Sequence, residues 1–489
     1  MAKDLKALLA SLNTETIKGS TDKVITDVVC DSRKVSRGAL YVAVRGALVD
    51  AHKFIPDVVA AGAAAVVCEE IPEQTADDVT YIQVANGSEA LGILASEWYD
   101  RPSEQLKLVG VTGTNGKTTV ATLLYEMTRL LGYKAGLLST VQNIVDQRVM
   151  EAKQTTPDHL TLNRLLREMV DCGCEYAFME VSSHSCVQHR IDGLKFSGAI
   201  FTNLTRDHLD FHKTVDNYIA AKQMFFDGLP KDAFALINAD DKVGSVMVQN
   251  TAAKTYTYSL RTMADFRGKV IEERIDGTSV EINRQEVEVL FTGRFNVYNL
   301  LSVYGASVLL GFDPAEVLVK TSLLVPVSGR FQTFRSPLGY TAVVDYAHTP
   351  DALVNVLDTI RDVVGEGKVI TVCGCGGNRD KGKRPIMAHE AVTRSHQLIL
   401  TSDNPRDEEP EAILLDMASG LERGEMSRVL KITDRREAIR TACRLAQKGD
   451  VVLVAGKGHE NYQEIKGVKH HFDDREVIQE IFAEEQGQK

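Results

Sequence analysis

Val109-Gly-Val-Thr-Gly-Thr-Asn-Gly-Lys-Thr-Thr119 is the stretch that decides the fold of this 489-residue chain. A mostly apolar run from Leu106 to Val111 precedes the loop glycines, and the residues after Lys117 have the apolar spacing of a helix. This order predicts a strand, a glycine-rich loop and a helix N-terminus, where backbone N–H groups and the helix dipole favour an anion. Lys117 can neutralise phosphate charge, and the Thr118 hydroxyl can bind Mg²⁺. The stretch therefore predicts nucleotide binding, although Val111 replaces the first glycine of the strict GxxxxGK[ST] pattern.

The composition indicates a large protein without nucleic-acid partners. A length of 489 residues corresponds to about three domains. Asp and Glu outnumber Lys and Arg by 67 to 56, and the net charge of -11 argues against general nucleic-acid binding. The longest nearly apolar run, Val58–Cys68, is shorter than the ~18 residues of a membrane helix, and the charged N-terminus does not resemble a signal peptide. We therefore expect a cytoplasmic protein without membrane insertion, and we expect a monomer.

The pattern of strands and helices divides the chain into three α/β blocks. Residues 1–104 contain short strands and end at a linker. Residues 105–329 begin at the glycine-rich loop and alternate apolar strands with helices, which predicts a parallel sheet covered on both faces. Within this block, the more polar residues 255–291 are expected to form antiparallel strands. Residues 330–489 repeat the alternation, and their strands end in polar residues or glycines, where open α/β sheets bind ligands.

Three residues of the second block have the chemistry of a metal site. Glu180 ends an apolar strand, His208 lies in the histidine- and aspartate-rich segment Asp207–His212, and Lys222 lies in an apolar helix. A carboxylate at a strand end near a phosphate loop suits Mg²⁺, and the histidine is a candidate second ligand. The alternatives are a solvated loop glutamate, a loop histidine without a ligand, and a lysine that extends from the helix surface to solvent.

Polar residues also precede and follow the boundary between the second and third blocks. Asn296 and Asn299 come before an apolar helix, where their amides either face an adenine edge or cap the helix. Arg330 lies at the boundary, from which a guanidinium can reach a phosphate across a cleft. Asp345 follows a strand and can accept ribose hydroxyls. The turn Thr155–Asp158 offers hydroxyls that either bind a substrate or cap a helix.

Three loops of the third block combine glycines with charged residues. They are residues 374–384, Asp403–Arg406 and Gly456–Glu460, and each lies just beyond a predicted strand. Guanidinium groups next to a carboxylate suit a zwitterionic amino acid. A phosphate site is the alternative explanation for the cations, but Glu460 does not fit it.

Together, these motifs resemble the Mur ligases, ATP-dependent amide-forming enzymes of peptidoglycan precursor synthesis, essentially from end to end. Gly113–Thr119 is similar to that family's form of the phosphate loop. The motifs most similar to the branch that adds the third peptide residue are Thr155–Asp158, Glu180–His184, Asp207–His208, Asp345–His348 and Asp403–Arg406. The resemblance implies an N-terminal UDP-binding α/β domain, a central P-loop-type ATPase domain with a parallel sheet, and a C-terminal Rossmann-like α/β domain.

The resemblance also implies the ligands and the residues that bind them. The substrates would be ATP, UDP-N-acetylmuramoyl-L-alanyl-D-glutamate and meso-diaminopimelate, with Mg²⁺ as the cofactor. The implied catalytic residues are Lys117, Lys222, His208 and Arg330. The implied ATP-binding residues are Gly113, Thr114, Asn115, Gly116, Lys117, Thr118, Thr119, Asn299, Arg330, Asp345 and His348. The implied metal ligands are Thr118, Glu180, His208 and Lys222 as a carbamate.

Two further sets follow from the same resemblance. The muramoyl-peptide acceptor would be bound by Thr155, Thr156, Ser182, Gln188 and Arg190, with Ser32 and the loop Gly46–Ala51 at its uridine end. The incoming amino acid would be bound by Arg379, Asp403, Asn404, Pro405, Arg406, Gly456 and Glu460.

Arg406 is the residue on which the expected amino acid depends. Its guanidinium can bind the distal carboxylate of diaminopimelate through two charged hydrogen bonds. With lysine it would be left unpaired, which costs about 2–5 kcal/mol. The alternatives are a lysine-adding relative, a dipeptide-adding relative and a ligase like folylpolyglutamate synthetase, which shares the loop and the chemistry. A nucleotide-dependent switch or motor, without ligase activity, is the alternative from a different class of protein.

Overall fold

The structure, a computed structural model, describes residues 2–46 and 49–487. Its first sheet has five strands, and all neighbouring pairs are parallel except the first. In spatial order the strands are Thr16–Lys18, Thr80–Gln83, Ala65–Cys68, Leu40–Val42 and Val28–Val29. The α-helices of this part are Leu5–Leu8, Ile55–Ala60 and Gly87–Trp98. A short strand pair, Lys3–Asp4 with Val24–Ile25, lies apart from this sheet.

The second sheet has eleven strands, and the strand before the glycine-rich loop lies in its interior. In spatial order its strands are Arg148–Glu151, Gln142–Val145, Ala135–Leu138, Tyr176–Glu180, Lys107–Thr112, Gly198–Phe201, Phe234–Asn238, Lys254–Ser259, Phe266–Arg274, Gly277–Ile282 and Gln285–Val289. The run from Ala135–Leu138 to Phe266–Arg274 is parallel, as predicted for continuous apolar strands.

The expectation of antiparallel strands over residues 255–291 is only partly correct. Phe266–Arg274, Gly277–Ile282 and Gln285–Val289 form an antiparallel meander. Lys254–Ser259, in contrast, pairs in parallel with Phe234–Asn238. The short helix Gly244–Met247 lies between these two strands and makes the connection a crossover, which a polar alternation in the sequence does not reveal.

Helices cover both faces of the second sheet. The helices of this part are Lys117–Leu130, His159–Asp171, Ser183–Val187, Leu209–His212, Val215–Asp227, Gly244–Met247, Arg294–Leu309 and Pro314–Thr321. Val120 and Leu124 of the helix Lys117–Leu130 share one core with Val297 and Leu301 of Arg294–Leu309. This packing fixes the helix whose N-terminus follows the glycine-rich loop.

The third sheet has six strands, parallel except for the first pair. In spatial order they are Gln332–Arg335, Thr341–Asp345, Val451–Ala455, Val369–Cys373, Gln397–Leu400 and Val429–Lys431. Its helices are Pro350–Val363, Lys383–Arg394, Pro410–Ala418, Arg435–Leu445 and Asp474–Gln486, and a hairpin pairs Tyr462–Ile465 with Val468–His471. In the described part of the chain, no helix has both the length and the apolar character needed to cross a membrane.

Candidate active site

The glycine-rich loop has a backbone that requires glycine at two positions. Gly113 and Gly116 have φ angles of +148° and +90°. A Cβ on Gly113 would lie 1.9 Å from Thr202 Oγ1, so the neighbouring strand approaches the loop too closely for any side chain. Lys117 begins the helix and donates through Nζ to the carbonyl oxygens of Gly113 at 2.9 Å and Thr114 at 2.8 Å. The strand, loop and helix predicted from the sequence are therefore all present.

Arg330 connects the loop to the third domain. Its Nη2 donates to Thr118 Oγ1 at 3.1 Å, and its guanidinium lies 4.5 Å from the ring centroid of Tyr346. The buried Nε atom of Arg330 has no hydrogen-bond partner among the described residues. A guanidinium that spans two domains and keeps an unpaired N–H is suited to an anionic ligand in the cleft.

A cavity of about 580 Å³ lies in this cleft. Seven of the residues expected to bind ATP line it: Asn115, Gly116, Thr119, Asn299, Arg330, Asp345 and His348. Its volume is within the usual range of small-molecule and cofactor sites. The structure thus brings together, from three separate parts of the sequence, residues that were assigned to one ligand.

Asp345 has contacts that the sequence did not predict. Its Oδ2 accepts a hydrogen bond from Phe331 N and its Oδ1 accepts one from Ala347 N, both at 2.7 Å. Burial raises the pKa of this carboxyl group. The carboxylate therefore holds the backbone just after the domain boundary at Phe331 and just after its own strand at Ala347. Its contact with a ribose remains a prediction.

The cavity also contains residues that the sequence interpretation missed. Lys269 and Glu273 come from the antiparallel strand Phe266–Arg274, and Asn355 and Asp358 come from the helix Pro350–Val363. These positions carry ordinary surface residues in a strand and a helix. No motif distinguishes them, because only the packing of the two domains brings them to the cleft.

Lys222 is not the solvent-exposed lysine of the alternative interpretation. It is 1% exposed, and its Nζ donates to the carbonyl oxygen of Gly113 at 2.8 Å. The Tyr218 ring centroid lies 4.7 Å from the same Nζ. Burial lowers the pKa of Lys222 well below its usual value, and the charge of Lys117 lowers it further. The amine consequently lies against the phosphate loop, where burial opposes its charged form.

Glu180 and His208 lie in different environments on the same side of the loop. Glu180 is 1% exposed and its Oε1 accepts a hydrogen bond from Thr140 N at 2.7 Å, which rules out a solvated loop glutamate. The His208 ring packs edge-on against His184, with centroids 5.0 Å apart. Desolvation lowers the pKa of His208, and the charges of Lys117 and Lys222 contribute. An uncharged imidazole and a buried carboxylate can each donate a lone pair to a metal ion, and their role as Mg²⁺ ligands together with Thr118 remains a prediction.

The residues expected to bind the acceptor form one hydrogen-bonded network. Arg190 Nη1 donates to Thr156 O at 2.7 Å, and its Nη2 donates to Gln188 Oε1 at 2.5 Å. Thr156 Oγ1 donates to Glu180 O at 2.8 Å and accepts from Ser182 N at 3.2 Å. The network therefore extends to the strand that carries Glu180.

The remaining acceptor residues lie on both sides of this network. Thr155 Oγ1 accepts a hydrogen bond from Thr140 Oγ1 at 3.1 Å. Ser32 lies on the 3-10 turn Ser32–Lys34 of the first domain, and its contact with uridine remains a prediction. The loop Gly46–Ala51 contains two residues, 47 and 48, that lie outside the described part of the chain.

The three charged loops of the third domain meet at one edge of its sheet. Gly377 N donates to Asn404 O at 2.9 Å, and a Cβ on Gly377 would lie 1.9 Å from Pro405 O. A Cβ on Gly456 would lie 2.5 Å from Asp403 Oδ2. Asn404 Nδ2 donates to Glu460 Oε2 at 2.7 Å. The predicted pocket residues are thus adjacent, except for Arg379, whose exposed side chain makes no hydrogen bond or ion pair with any residue that the structure describes.

Arg406 already has protein partners in this pocket. Its Nη1 donates to Gly377 O at 2.8 Å, and its Nε lies 3.3 Å from Glu464 Oε2. Its backbone has a φ of +50° and is held by hydrogen bonds to Glu464 and Lys466. The assumption that this guanidinium would be unpaired without a distal carboxylate is therefore wrong, and its contribution to specificity is expected near the lower end of the range given above.

Tyr346 connects the nucleotide cavity to the pocket of the third domain. It lies against Arg330 on one side, and its ring centroid is 5.0 Å from that of His459, the residue before Glu460. The chain thus has three α/β sheets, a phosphate loop and, next to it, a pocket of charged residues. These features define a multidomain nucleotide-binding enzyme of the P-loop type.

Comparison with known proteins identifies the family. Three family models match the chain in order: the Mur ligase family catalytic domain at residues 24–99, the Mur ligase middle domain at 111–307 and the Mur ligase glutamate ligase domain at 329–458. This chain belongs to the Mur ligase family.

Similar proteins cover essentially the whole chain. A protein of Parabacteroides distasonis is 60% identical over 484 residues, which are 99% of this chain and 100% of the relative. A protein of Bacteroides fragilis is 59% identical over 98% of this chain and 99% of its own length. Both are named UDP-N-acetylmuramoyl-L-alanyl-D-glutamate--2,6-diaminopimelate ligase. A solved structure of a ligase with that name is 32% identical, covers 99% of this chain and 100% of its own, and has a TM-score of 0.71.

Proposed function

We propose that this chain is the ATP-dependent ligase that joins meso-diaminopimelate to UDP-N-acetylmuramoyl-L-alanyl-D-glutamate. The observation that carries the proposal is the cleft in which Arg330 donates to Thr118 of the phosphate loop. It places a nucleotide cavity on one side of Tyr346 and a pocket with Asn404 and Glu460 on the other. The names of the near full-length relatives support the same reaction.

The first step is the activation of a carboxylate. The γ-carboxylate of the D-glutamyl residue attacks the γ-phosphorus of ATP, which gives an acyl phosphate and ADP. This carboxylate is ionised at neutral pH, so the step needs no base. The barrier comes from bringing anions together, and Lys117 and Arg330 lower it by placing positive charge at the transferring phosphoryl group.

Thr118, Glu180, His208 and a carbamate on Lys222 would hold Mg²⁺, which would supply further positive charge at the same phosphoryl group. The burial of Lys222 supports the carbamate, because an uncharged amine can form a C–N bond with carbon dioxide and release one proton. The carbamate is an anion, and its negative charge would also balance the positive charge of Lys117 nearby.

The second step forms the amide bond. The uncharged amine of diaminopimelate attacks the acyl carbon and forms the C–N bond. The C–O bond to phosphate then breaks, and the nitrogen gives up one proton as the amide forms. Asn404, Arg406 and Glu460 would orient the amino acid, so that the amine faces the acyl phosphate across the cleft. Closure of the domains would exclude water, which would otherwise hydrolyse the acyl phosphate.

Three other functions make different predictions. A lysine-adding ligase would not need the guanidinium of Arg406 for a distal carboxylate. A ligase like folylpolyglutamate synthetase would not use the acceptor network of Arg190, Thr156 and Gln188 for a muramoyl peptide. A nucleotide switch or motor would hydrolyse ATP without any amino acid and would leave the pocket of the third domain without a function.

Measurement of inorganic phosphate tests these alternatives. The purified protein is incubated with ATP, Mg²⁺ and UDP-N-acetylmuramoyl-L-alanyl-D-glutamate in three separate reactions. One contains diaminopimelate, one contains lysine, and one contains neither amino acid. We expect phosphate release that requires diaminopimelate. Release with lysine alone would favour the lysine-adding ligase, and release without an amino acid would favour a switch or motor. The cytoplasmic location and the monomeric state remain predictions, which cell fractionation and size-exclusion chromatography check.

A further inference from the structure

Lys457 is a completely buried lysine in the pocket of the third domain. It follows the strand Val451–Ala455, and its side chain is 0% exposed. An ammonium group removed from water is strongly unfavourable unless oxygen atoms surround it. A methionine or leucine would fill the same space without this penalty. The charge or the hydrogen-bond donors of Lys457 are therefore expected to have a function.

The contacts of Lys457 are with two residues that were assigned to the amino-acid substrate. Its Nζ donates to Asn404 Oδ1 at 3.0 Å and lies 3.4 Å from Glu460 Oε2. The ring of Tyr462 covers the ammonium, with 5.6 Å between Nζ and the ring centroid. Lys457 is thus a buried residue that contacts the side chains of two pocket residues, Asn404 and Glu460.

Lys457 and the backbone N–H of Glu464 together determine which way the Asn404 amide points. Asn404 Oδ1 accepts from Lys457 Nζ and from Glu464 N at 2.9 Å, so two donors face one end of the amide. An amide NH₂ group at that end would meet both donors without an acceptor. The NH₂ group is therefore directed to Glu460 Oε2, which it contacts at 2.7 Å.

The Glu460 carboxylate is consequently held through one of its oxygens. Oε2 receives both Asn404 Nδ2 and Lys457 Nζ, so a ligand cation is left to contact Oε1. Burial and the charge of Asp403 raise the pKa of Glu460, whereas Lys457 and Asn404 act against this rise. Tyr346 and Tyr462 are the other titratable groups that face this carboxyl group.

We propose that Lys457 is a positioning residue for the amino-acid substrate, which fixes the Asn404 amide and the Glu460 carboxylate in the orientation that binds an ammonium group. This inference rests on the proposed function, in which the pocket binds meso-diaminopimelate. Lys457 itself does not contact the substrate, since the two residues lie between it and the pocket.

Substitution of Lys457 by methionine tests the proposal, because methionine is similar in length but has neither charge nor donor. We expect the KM for meso-diaminopimelate to rise by roughly 10- to 100-fold, with the KM for ATP and for the acceptor changed by less than about twofold. Without the lysine, Glu460 becomes harder to ionise. The acid limb of kcat/KM for diaminopimelate should therefore move to higher pH than in the wild type.

Two further variants make the result specific. Lys457→Gln keeps a donor for Asn404 Oδ1 but no charge, so we expect a smaller rise in KM and the same direction of shift in the acid limb. Circular dichroism shows whether Lys457→Met folds. If it does not, Lys457→Gln provides the comparison with the wild type. Lys448→Met, at an exposed lysine before the same strand, should leave all three KM values unchanged.

The inference and the proposed function fail in different ways. If the wild-type protein forms no product with diaminopimelate, the proposed function is wrong. If the wild type is active but Lys457→Met and Lys457→Gln keep the wild-type KM and acid limb, only the role of Lys457 is wrong. A decrease in kcat alone, with an unchanged KM and pH profile, would also overturn the positioning role of Lys457. Such a result would indicate a general structural role.

Discussion

Arg330 Nη2 lies 3.1 Å from Thr118 Oγ1, so a residue 212 positions further along the chain contacts the first turn of the phosphate-loop helix. Thr118 is a candidate Mg²⁺ ligand, and Arg330 is a candidate phosphate ligand. The two side chains therefore meet at the place where a bound γ-phosphate would lie. This contact joins the second and third domains directly through two candidate residues of the reaction.

Replacement of Arg330 should slow the phosphoryl transfer. We expect Arg330→Ala to lower kcat by roughly 10²- to 10³-fold, because one preorganised cation at the developing charge is lost. Arg330→Lys should retain part of the activity, since lysine keeps the charge but loses the planar contact with Tyr346. Steady-state kinetics with saturating acceptor and diaminopimelate measure this effect, and an unchanged kcat in Arg330→Ala would contradict it.

Lys222 should carry a carbamate that is essential for activity. We expect a carbamate signal in the ¹³C NMR spectrum of protein equilibrated with ¹³C-bicarbonate, and we expect Lys222→Ala to lose both this signal and the activity. The burial of the Lys222 amine, which lowers its pKa, is the physical reason. Lys213→Ala, at a lysine just before the same helix, is a control that should retain the signal. Full activity of Lys222→Ala would refute the assignment.

Arg406 should determine the choice of amino acid. We expect Arg406→Ala to lower kcat/KM for diaminopimelate by at least about 30-fold, which corresponds to about 2 kcal/mol. The effect is expected near this value because Gly377 and Glu464 already bind part of the guanidinium. Arg423→Ala, at an exposed arginine of the same domain, should have no effect. Equal kcat/KM values for the wild type and Arg406→Ala would show that another residue selects the amino acid.

The buried ion pair between Arg435 and Asp474 should be important for the stability of the third domain. Both side chains are 0% exposed, and the pair is bidentate, at 2.8 Å and 2.7 Å. Asp474→Ala leaves an unpaired buried guanidinium, so we expect it to lower the free energy of unfolding by about 3–5 kcal/mol.

Glu480 provides the matched control on the same helix. It pairs with Arg436, and both side chains are about half exposed, so Glu480→Ala should cost less than about 1 kcal/mol. Urea unfolding followed by circular dichroism compares the variants. The single tryptophan, Trp98, lies in the first domain and does not report on this one. Similar losses in the two variants would contradict the role of burial.

The parts of the site that could be predicted from the sequence are those with local signals. The glycines around Lys117 identify the phosphate loop. Polar residues at the ends of apolar strands identify the strand end at Glu180 and the loop that contains Asp403. Parallel strands end at the same edge of a sheet, so segments that follow strands of one sheet are expected at one edge of that sheet.

The parts that could not be predicted depend on contacts between distant residues. The burial of Lys222 against Gly113 joins residues 109 positions apart, and the pairing of Arg406 with Glu464 depends on a hairpin edge. Lys269 and Asn355 have no distinguishing neighbours in the sequence and reach the cavity only through domain packing. Such contacts are set by tertiary structure rather than by local pattern.

The mass of the reaction product tests the central claim most directly. The purified protein is incubated with ATP, Mg²⁺, UDP-N-acetylmuramoyl-L-alanyl-D-glutamate and an equimolar mixture of meso-diaminopimelate and lysine. We predict a single new nucleotide-linked tripeptide whose mass corresponds to the acceptor plus diaminopimelate minus one water, formed together with ADP and phosphate. The absence of this species, or a product that contains only lysine, would contradict the account.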